Sequence, residues 1–374
     1  MKDVEIRYST TQWNRRRSII MKDTMKAQVV REPYKMEYCD VPVPQINDDE
    51  VLIKIKVCGI CGSDTSIFTG KYAADKLPLI TGHEFIGEVA SVGNNAQGLK
   101  VGDKVAVDIC ITCGHCYFCR RGDGLLCETF TQLGIHTDGG FAEYVKAPWK
   151  NCYLLPEDMD QYTAAFVEPL TAVLHASQMM DPKITSSVAV IGCGLGILHG
   201  AVAKAKGCCP VIVIGDSPAR LEMAKNMGAD YTIDINEVAD PVAEVMKITN
   251  GIGVDHALEA VGHPSTYEQA FKMLRRGGKV TAFGICAEDA VANIEPYEFV
   301  LGEKKVTGSC AGIGNNWGEA IKLLQYGIIK PEGMFSMAVP LKELPDALEE
   351  LKTNKDLVKV FVSPELEERI YFNK

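Results

Sequence analysis

The spacing of apolar positions changes character midway along the chain. Residues 51–57 (VLIKIKV) alternate apolar and polar side chains, the pattern of a strand with one buried face. Residues 86–92, 104–108 and 141–146 are further strand candidates, broken by Gly93, Gly102-Asp103 and Gly139-Gly140. Short strands separated by turns predict a β-rich unit that begins near Met25. Residues 1–24 have no clear period and read as an N-terminal extension, an arm over the first sheet.

From about residue 181 the pattern differs. Residues 187–192 (SVAVIG) and 211–216 (VIVIGD) are apolar runs of the kind that form buried strands. Residues 195–206 and 219–227 read as helices, the second opened by Ser217 as N-cap and Pro218 at the first helical position. Strands are again predicted at 231–233, 254–258 and 279–283, with helices between them. Alternating strand and helix predicts a parallel, doubly wound sheet. Helices at 317–326 and 341–353 then precede a last strand at 357–362, a tail that pattern alone does not place.

Composition narrows the classes. At 374 residues, two or three domains are expected, and 47% hydrophobic with 24% charged residues implies a globular core. A net charge of -10 argues against nucleic acid or an anionic membrane surface as partner, because both demand a basic face. No run approaches 18 apolar residues, so no membrane span is expected. The N-terminal stretch, with Arg15-Arg16-Arg17 and no apolar core, does not read as a secretory signal. Of the 14 cysteines, five fall between Cys110 and Cys127, which points to metal ligation in a reducing cytoplasm.

Two stretches carry metal chemistry. Cys58-Gly-Ile-Cys61-Gly-Ser63-Asp64 is followed by Gly82-His83-Glu84. A thiolate, an imidazole and one acid supply the three protein ligands of a catalytic zinc and leave a position open. Either Cys61 or His83 alone would as readily be a packing residue. Asp64 could fix the tautomer of a ligand histidine, and Ser63 could pass a proton from an alcohol. Cys113, Cys116, Cys119 and Cys127 have the spacing C-x2-C-x2-C-x7-C. Four thiolates that close can wrap one tetrahedral zinc with no open position, hence a structural role; an iron–sulfur cluster or redox cysteines are the alternatives.

A third motif joins the first buried strand to a helix: Gly192-Cys193-Gly194-Leu195-Gly196. Glycines there let a pyrophosphate approach a helix N-terminus. The third glycine falls one place early, and Gly200 could relieve the helix–sheet packing instead. Asp216 ends the second strand, where an acid takes the ribose 2′-hydroxyl of NAD and disfavours a 2′-phosphate. Arg220 could lie along the adenosine or be a solvated helix arginine.

With these motifs in place the chain resembles the zinc-dependent medium-chain dehydrogenase/reductase family, in particular its sorbitol, threonine and butanediol branches. The resemblance runs from about Met25 to near the C-terminus and includes Glu168-Pro169-Leu170. It implies a mixed α/β fold: a GroES-like β-rich catalytic domain from 25–181 and 310–374, with a Rossmann NAD-binding domain, 182–309, inserted between them. It implies two zincs per chain, with Cys61 and His83 as ligands of the catalytic one, Glu84 or Glu168 as the third, directly or through water, and Glu168 slightly favoured. Ser63 matches the proton-relay hydroxyl. The implied activity is NAD-dependent oxidation of a secondary alcohol, a polyol, diol or sugar alcohol, by a homodimer or homotetramer. A threonine-type amino-alcohol dehydrogenase is the alternative enzyme, and a non-catalytic dinucleotide sensor the alternative class. Two departures stand out. Ser66 replaces the histidine that ends the relay in many members, and residues 308–317 lack the arginine that faces the polyol in animal-type sorbitol dehydrogenases, which counts against sorbitol itself.

Overall fold

The structure is a computed structural model that describes residues 23–372. The expected N-terminal arm therefore lies outside the described residues up to 22, and Thr24 already opens the strand Thr24–Glu32.

Two large sheets organise the chain. One has six strands, all parallel, in the order Tyr231–Asp234, Val211–Gly215, Val188–Ile191, Val254–Glu259, Leu274–Ala282, Lys305–Gly308. The chain starts in the middle of this sheet, runs outward to one edge, then crosses back and fills the other side. That reversal creates the crevice at the carboxyl ends of the strands where doubly wound sheets take ligands. The central strands are buried on both faces, so they read as apolar runs rather than alternations.

The second sheet has eight strands and a different composition. The predicted strands 51–57, 86–92 and 104–108 are present as Glu50–Gly59, Glu84–Val92 and Lys104–Val107, paired antiparallel. Tyr144–Pro148 lies a few residues beyond the expected 141–146 and pairs with Glu50–Gly59. The tail joins this sheet. Lys359–Ser363 pairs antiparallel with Glu50–Gly59, Phe361 opposite Gly59, and Phe335–Pro340 lies beside it in parallel. Residues more than three hundred positions apart in sequence thus share one ladder.

A helix absent from the sequence pattern connects the two sheets. Val167–Met180 is buried on nearly every side, so it has no polar face to give a 3.6-residue period. It packs on the helix Gly196–Ala205 and the strand Leu274–Ala282 on one side and on Glu84–Val92 on the other. One core cluster consequently runs across both sheets, joining Val57, Ile86 and Phe361 to Leu170, Val190, Val202 and Trp317. Glu168 sits in the first turn of this helix.

Candidate functional site

The metal-ligand candidates converge over a glycine. Glu84 opens the strand Glu84–Val92 and lies directly opposite Gly59. Lys359 opens the strand Lys359–Ser363 on the other side of the same central strand. A Cβ at Gly59 would fall 2.2 Å from Glu84 Oε2, so the missing side chain makes room for that carboxylate. Lys359 Nζ meets Glu84 Oε2 there and lies 3.4 Å from the Ile60 carbonyl. Both side chains are buried.

Next to this pair, Cys61 precedes the short helix Gly62–Phe68. Asp64 folds back on that helix start: its carboxylate accepts hydrogen bonds from the Cys61 N–H at 2.9 Å and from the Gly82 N–H at 3.0 Å. This fixes the cysteine loop against the Gly82-His83 turn. Asp64 Oδ1 is 3.6 Å from His83 Nδ1, while Ser63 Oγ lies 3.3 Å from His83 Nε2. The ligand atoms of Cys61, His83 and Glu84 all lie within 4.8 Å of one another. Burial alone would suppress charge on His83, but Asp64 and Cys61 outweigh it and hold its pKa well above the usual value. A pocket that pulls positive charge onto a buried imidazole suits a bound cation. A thiolate, an imidazole and a carboxylate with a carboxylate behind the histidine form a donor set that fits zinc.

Glu168 is placed otherwise. It is outside that three-residue group, yet buried near it. Burial pushes its carboxyl up to about 7, with His83 lowering it and Glu84 raising it further. Ser66, at the outer end of the expected relay, turns back instead: its hydroxyl donates to the Gly62 carbonyl at 3.2 Å.

Cys113, Cys116, Cys119 and Cys127 also lie within 4.8 Å of one another. Cys113 Sγ and Cys119 Sγ are 4.0 Å apart, close to the ~3.8 Å that sulfurs about 2.3 Å from one tetrahedral zinc require. The N–H groups of Cys113 and Cys116 point at Cys127 Sγ and Cys113 Sγ, each at 3.3 Å. Hydrogen bonds of that kind favour thiolates, and the bond from Cys113 is the main reason that the Cys127 pKa falls to about 6. Leu126 and Tyr117 are exposed, so the lobe has little apolar core of its own. The four thiols fit a structural zinc.

At the dinucleotide loop, Gly192 has φ +112° and a Cβ there would stand 3.1 Å from the Ala260 carbonyl, a turn that only glycine makes easily. Gly194 faces open space on that side, with Arg220 Nη1 4.0 Å away. Leu195 occupies the position just before the helix that Gly196 begins and makes no side-chain capping bond. Gly200 rests on the sheet, its notional Cβ 3.0 Å from Val213 Cγ2, which is the packing role expected of it. Asp216 Oδ1 is 3.8 Å from Cys193 Sγ, so the acid borders the glycine loop. Its other oxygen pairs with Lys355 Nζ at 2.7 Å, the leading cause of its lowered pKa. Arg220 is not simply solvated: it donates to the Leu357 carbonyl, and its Nε is buried.

Lys359, Lys355 and Gly59 went unremarked in the sequence. Lys359 did leave a signal, as the only charge within the apolar run LVKVFV. Lys355 and Gly59 left none, because their roles depend on pairing between distant segments.

The chain is similar to known proteins over most of its length. The Alcohol dehydrogenase GroES-like domain model matches residues 47–157, and the Zinc-binding dehydrogenase model matches 194–326. The chain is 35% identical to a sorbitol dehydrogenase of Bacillus subtilis, over 91% of this chain and 97% of that one. It is 36% identical to an L-threonine 3-dehydrogenase of Bacillus licheniformis, over 83% and 90%. Among solved structures, a zinc-binding dehydrogenase from Sinorhizobium meliloti bound to NADP superposes with TM-score 0.86 at 31% identity, covering 92% of this chain and all of the other.

Proposed function

Because the chain belongs to the zinc-dependent medium-chain dehydrogenase family, we propose that it oxidises a secondary alcohol of the polyol, diol or sugar-alcohol type with NAD, through the site at Cys61, His83 and Glu84. The observation that carries this is the convergence of those three ligand atoms beside the Ser63 hydroxyl. Bound zinc would supply Lewis acidity that makes an alcohol proton easier to remove, and bound NAD would supply the hydride acceptor.

The protein's own groups do the rest. Cys61 and His83 anchor the metal, and Asp64 orients the histidine through its position behind Nδ1. Glu84 and Glu168 are alternative third ligands, directly or through water. Glu84 is nearer but paired with Lys359, whereas Glu168 feels the Lys359 charge only as a weaker pull that lowers its pKa. Ser63 receives the alcohol proton and hands it to water, since Ser66 is turned toward the backbone. Gly192, Gly194, Leu195 and Gly196 cradle the pyrophosphate of NAD, Asp216 takes the adenosine ribose and Arg220 flanks it. The four-cysteine lobe holds a second, structural zinc.

The catalytic unit in this reading comprises 25–181 with 310–374, and the cofactor unit 182–309. Among the described residues the cofactor sheet ends in an unpaired edge, Lys305–Gly308, with Val306, Tyr297, Val300 and Leu301 exposed around it. A bare edge flanked by apolar side chains supports assembly into a homodimer or homotetramer. All fourteen cysteines are free, which supports a reducing compartment, the cytoplasm. Among the described residues no helix is long and apolar enough to cross a membrane.

The test is a panel of polyols, diols, sugar phosphates and hydroxy amino acids, read by NADH absorbance. Turnover of polyols or diols with NAD is the expected result. Turnover confined to threonine-like substrates would move the assignment to the amino-alcohol branch, and no turnover at all would favour a dinucleotide sensor.

A further inference from the structure

The geometry around Asp216 points to Lys355 as the residue that decides how well the cofactor site accepts a ribose bearing a 2′-phosphate in addition to the plain ribose of NAD. This rests on the proposed role of Asp216 as the ribose acceptor. A lone carboxylate at that position repels the near-dianionic phosphate that distinguishes NADP. Here the carboxylate is not alone.

The segment 354–357, from the far end of the chain, is tied to the start of the helix Pro218–Asn226 at three points. Lys355 Nζ pairs with Asp216 Oδ2 at 2.7 Å, Ser217 Oγ donates to Asp356 Oδ1 at 3.2 Å, and Arg220 donates to the Leu357 carbonyl. The charges in these three ties are Asp216 and Asp356 against Lys355 and Arg220, which cancel, while Asp234 lies beyond them, joined to the Asp216 carbonyl through the Asn236 amide. Removing Lys355 would leave the pocket with a net negative charge where a phosphate must sit.

Exposure suits Lys355 to the task. Its side chain is 72% exposed, whereas Arg220 is held by the Leu357 carbonyl and has a buried Nε. A long, solvated lysine stem can leave one carboxylate oxygen for a phosphate beside it, forming a charge-assisted hydrogen bond. With NAD there is no such phosphate, and Asp216 has lone pairs enough to keep Lys355 and accept ribose hydroxyls together. Lys355 should therefore support the phosphorylated ribose selectively and contribute little to the unphosphorylated one.

The experiment is titration calorimetry of the zinc-loaded protein with two probes, 5′-AMP and adenosine 2′,5′-bisphosphate. Lys355→Ala should weaken the bisphosphate about tenfold, the scale of one partly solvated charge-assisted bond, and leave 5′-AMP within about twofold. Lys355→Arg should restore the bisphosphate. If the bisphosphate binds Lys355→Ala as tightly as the unaltered protein, or if both probes weaken equally, the inference is wrong. Asp216→Asn separates the underlying assumption: 5′-AMP binding that does not weaken in that variant would remove Asp216 from the ribose site whatever Lys355 does.

Discussion

Replacing His199 by leucine should make the protein markedly less sensitive to mild acid. His199 lies in the helix Gly196–Ala205, 2% exposed, with its ring edge-on to Phe283 at 4.5 Å. Its Nε2 is buried without a hydrogen-bond partner. Burial lowers its pKa from 6.5 to about 3. Above pH 6.5 the histidine is neutral in both folded and unfolded chains and has no effect on the balance. Below that value the unfolded chain binds the proton first, so stability is lost progressively as pH falls from 6.5 toward 3. At about pH 5 the difference is about 1.5 pH units, or about 2 kcal/mol. In a domain-sized unit that corresponds to a melting shift of about 4–8 °C. The assay compares melting curves of His199→Leu and the unaltered protein at about pH 7.5 and about pH 5. Acid also strips zinc from thiolates, but both proteins share that loss, so the gap between them isolates His199. The variant should gain on the parent by several degrees on going to the lower pH. An identical gap at both pH values would show that His199 takes up its proton equally readily in the folded and unfolded chains.

Three further outcomes follow from the metal sites. Lys359→Met strands the buried Glu84 carboxylate and should cost about 3–5 kcal/mol in thermal or urea unfolding, with Glu84→Gln in the same chain recovering part of it; an unchanged melting point would mean that the pair is not buried together in solution. Cys116→Ser should lower the zinc content by one per chain and loosen the lobe, seen by metal analysis and by faster proteolysis near residues 113–127; retention of two zincs would contradict the four-thiolate site. Ser63→Ala should reduce kcat by about a hundredfold without loss of either zinc, the scale of a missing proton-transfer group; full activity would place the proton path elsewhere.

The parts of this protein visible in the sequence are those set by local chemistry. Four cysteines within fifteen positions must meet, and a glycine loop between a buried strand and a helix is a short-range feature, as is an acid at the end of the next strand. Sheet periodicity located most strands within a few residues. What the pattern hid was long-range. The helix Val167–Met180 has apolar residues on nearly all sides, so burial erased the period that would have revealed it. Phe335–Pro340 is a short apolar run with a proline at its end, and only its parallel neighbour Lys359–Ser363 makes it a strand. The surroundings of Glu84 and Glu168 were hidden for a similar reason. The Glu84 carboxylate has room because Gly59 lies opposite it, and Lys359 lies beside it, two residues brought together by the ladder between Phe361 and Gly59. Arg220 was ambiguous until the Leu357 carbonyl appeared next to it.

The central claim is that alcohol oxidation depends on zinc at Cys61 and His83, separately from the zinc in the cysteine lobe. The most direct measurement is the rate of NADH formation from a polyol that the enzyme turns over, followed against zinc content during graded chelation and re-addition. The open three-residue site should release its metal before the closed four-thiolate one. Activity should therefore fall to near zero as the zinc content drops from two per chain to one, and return when zinc is restored. A protein that keeps full activity with zinc only in the cysteine lobe would contradict the account.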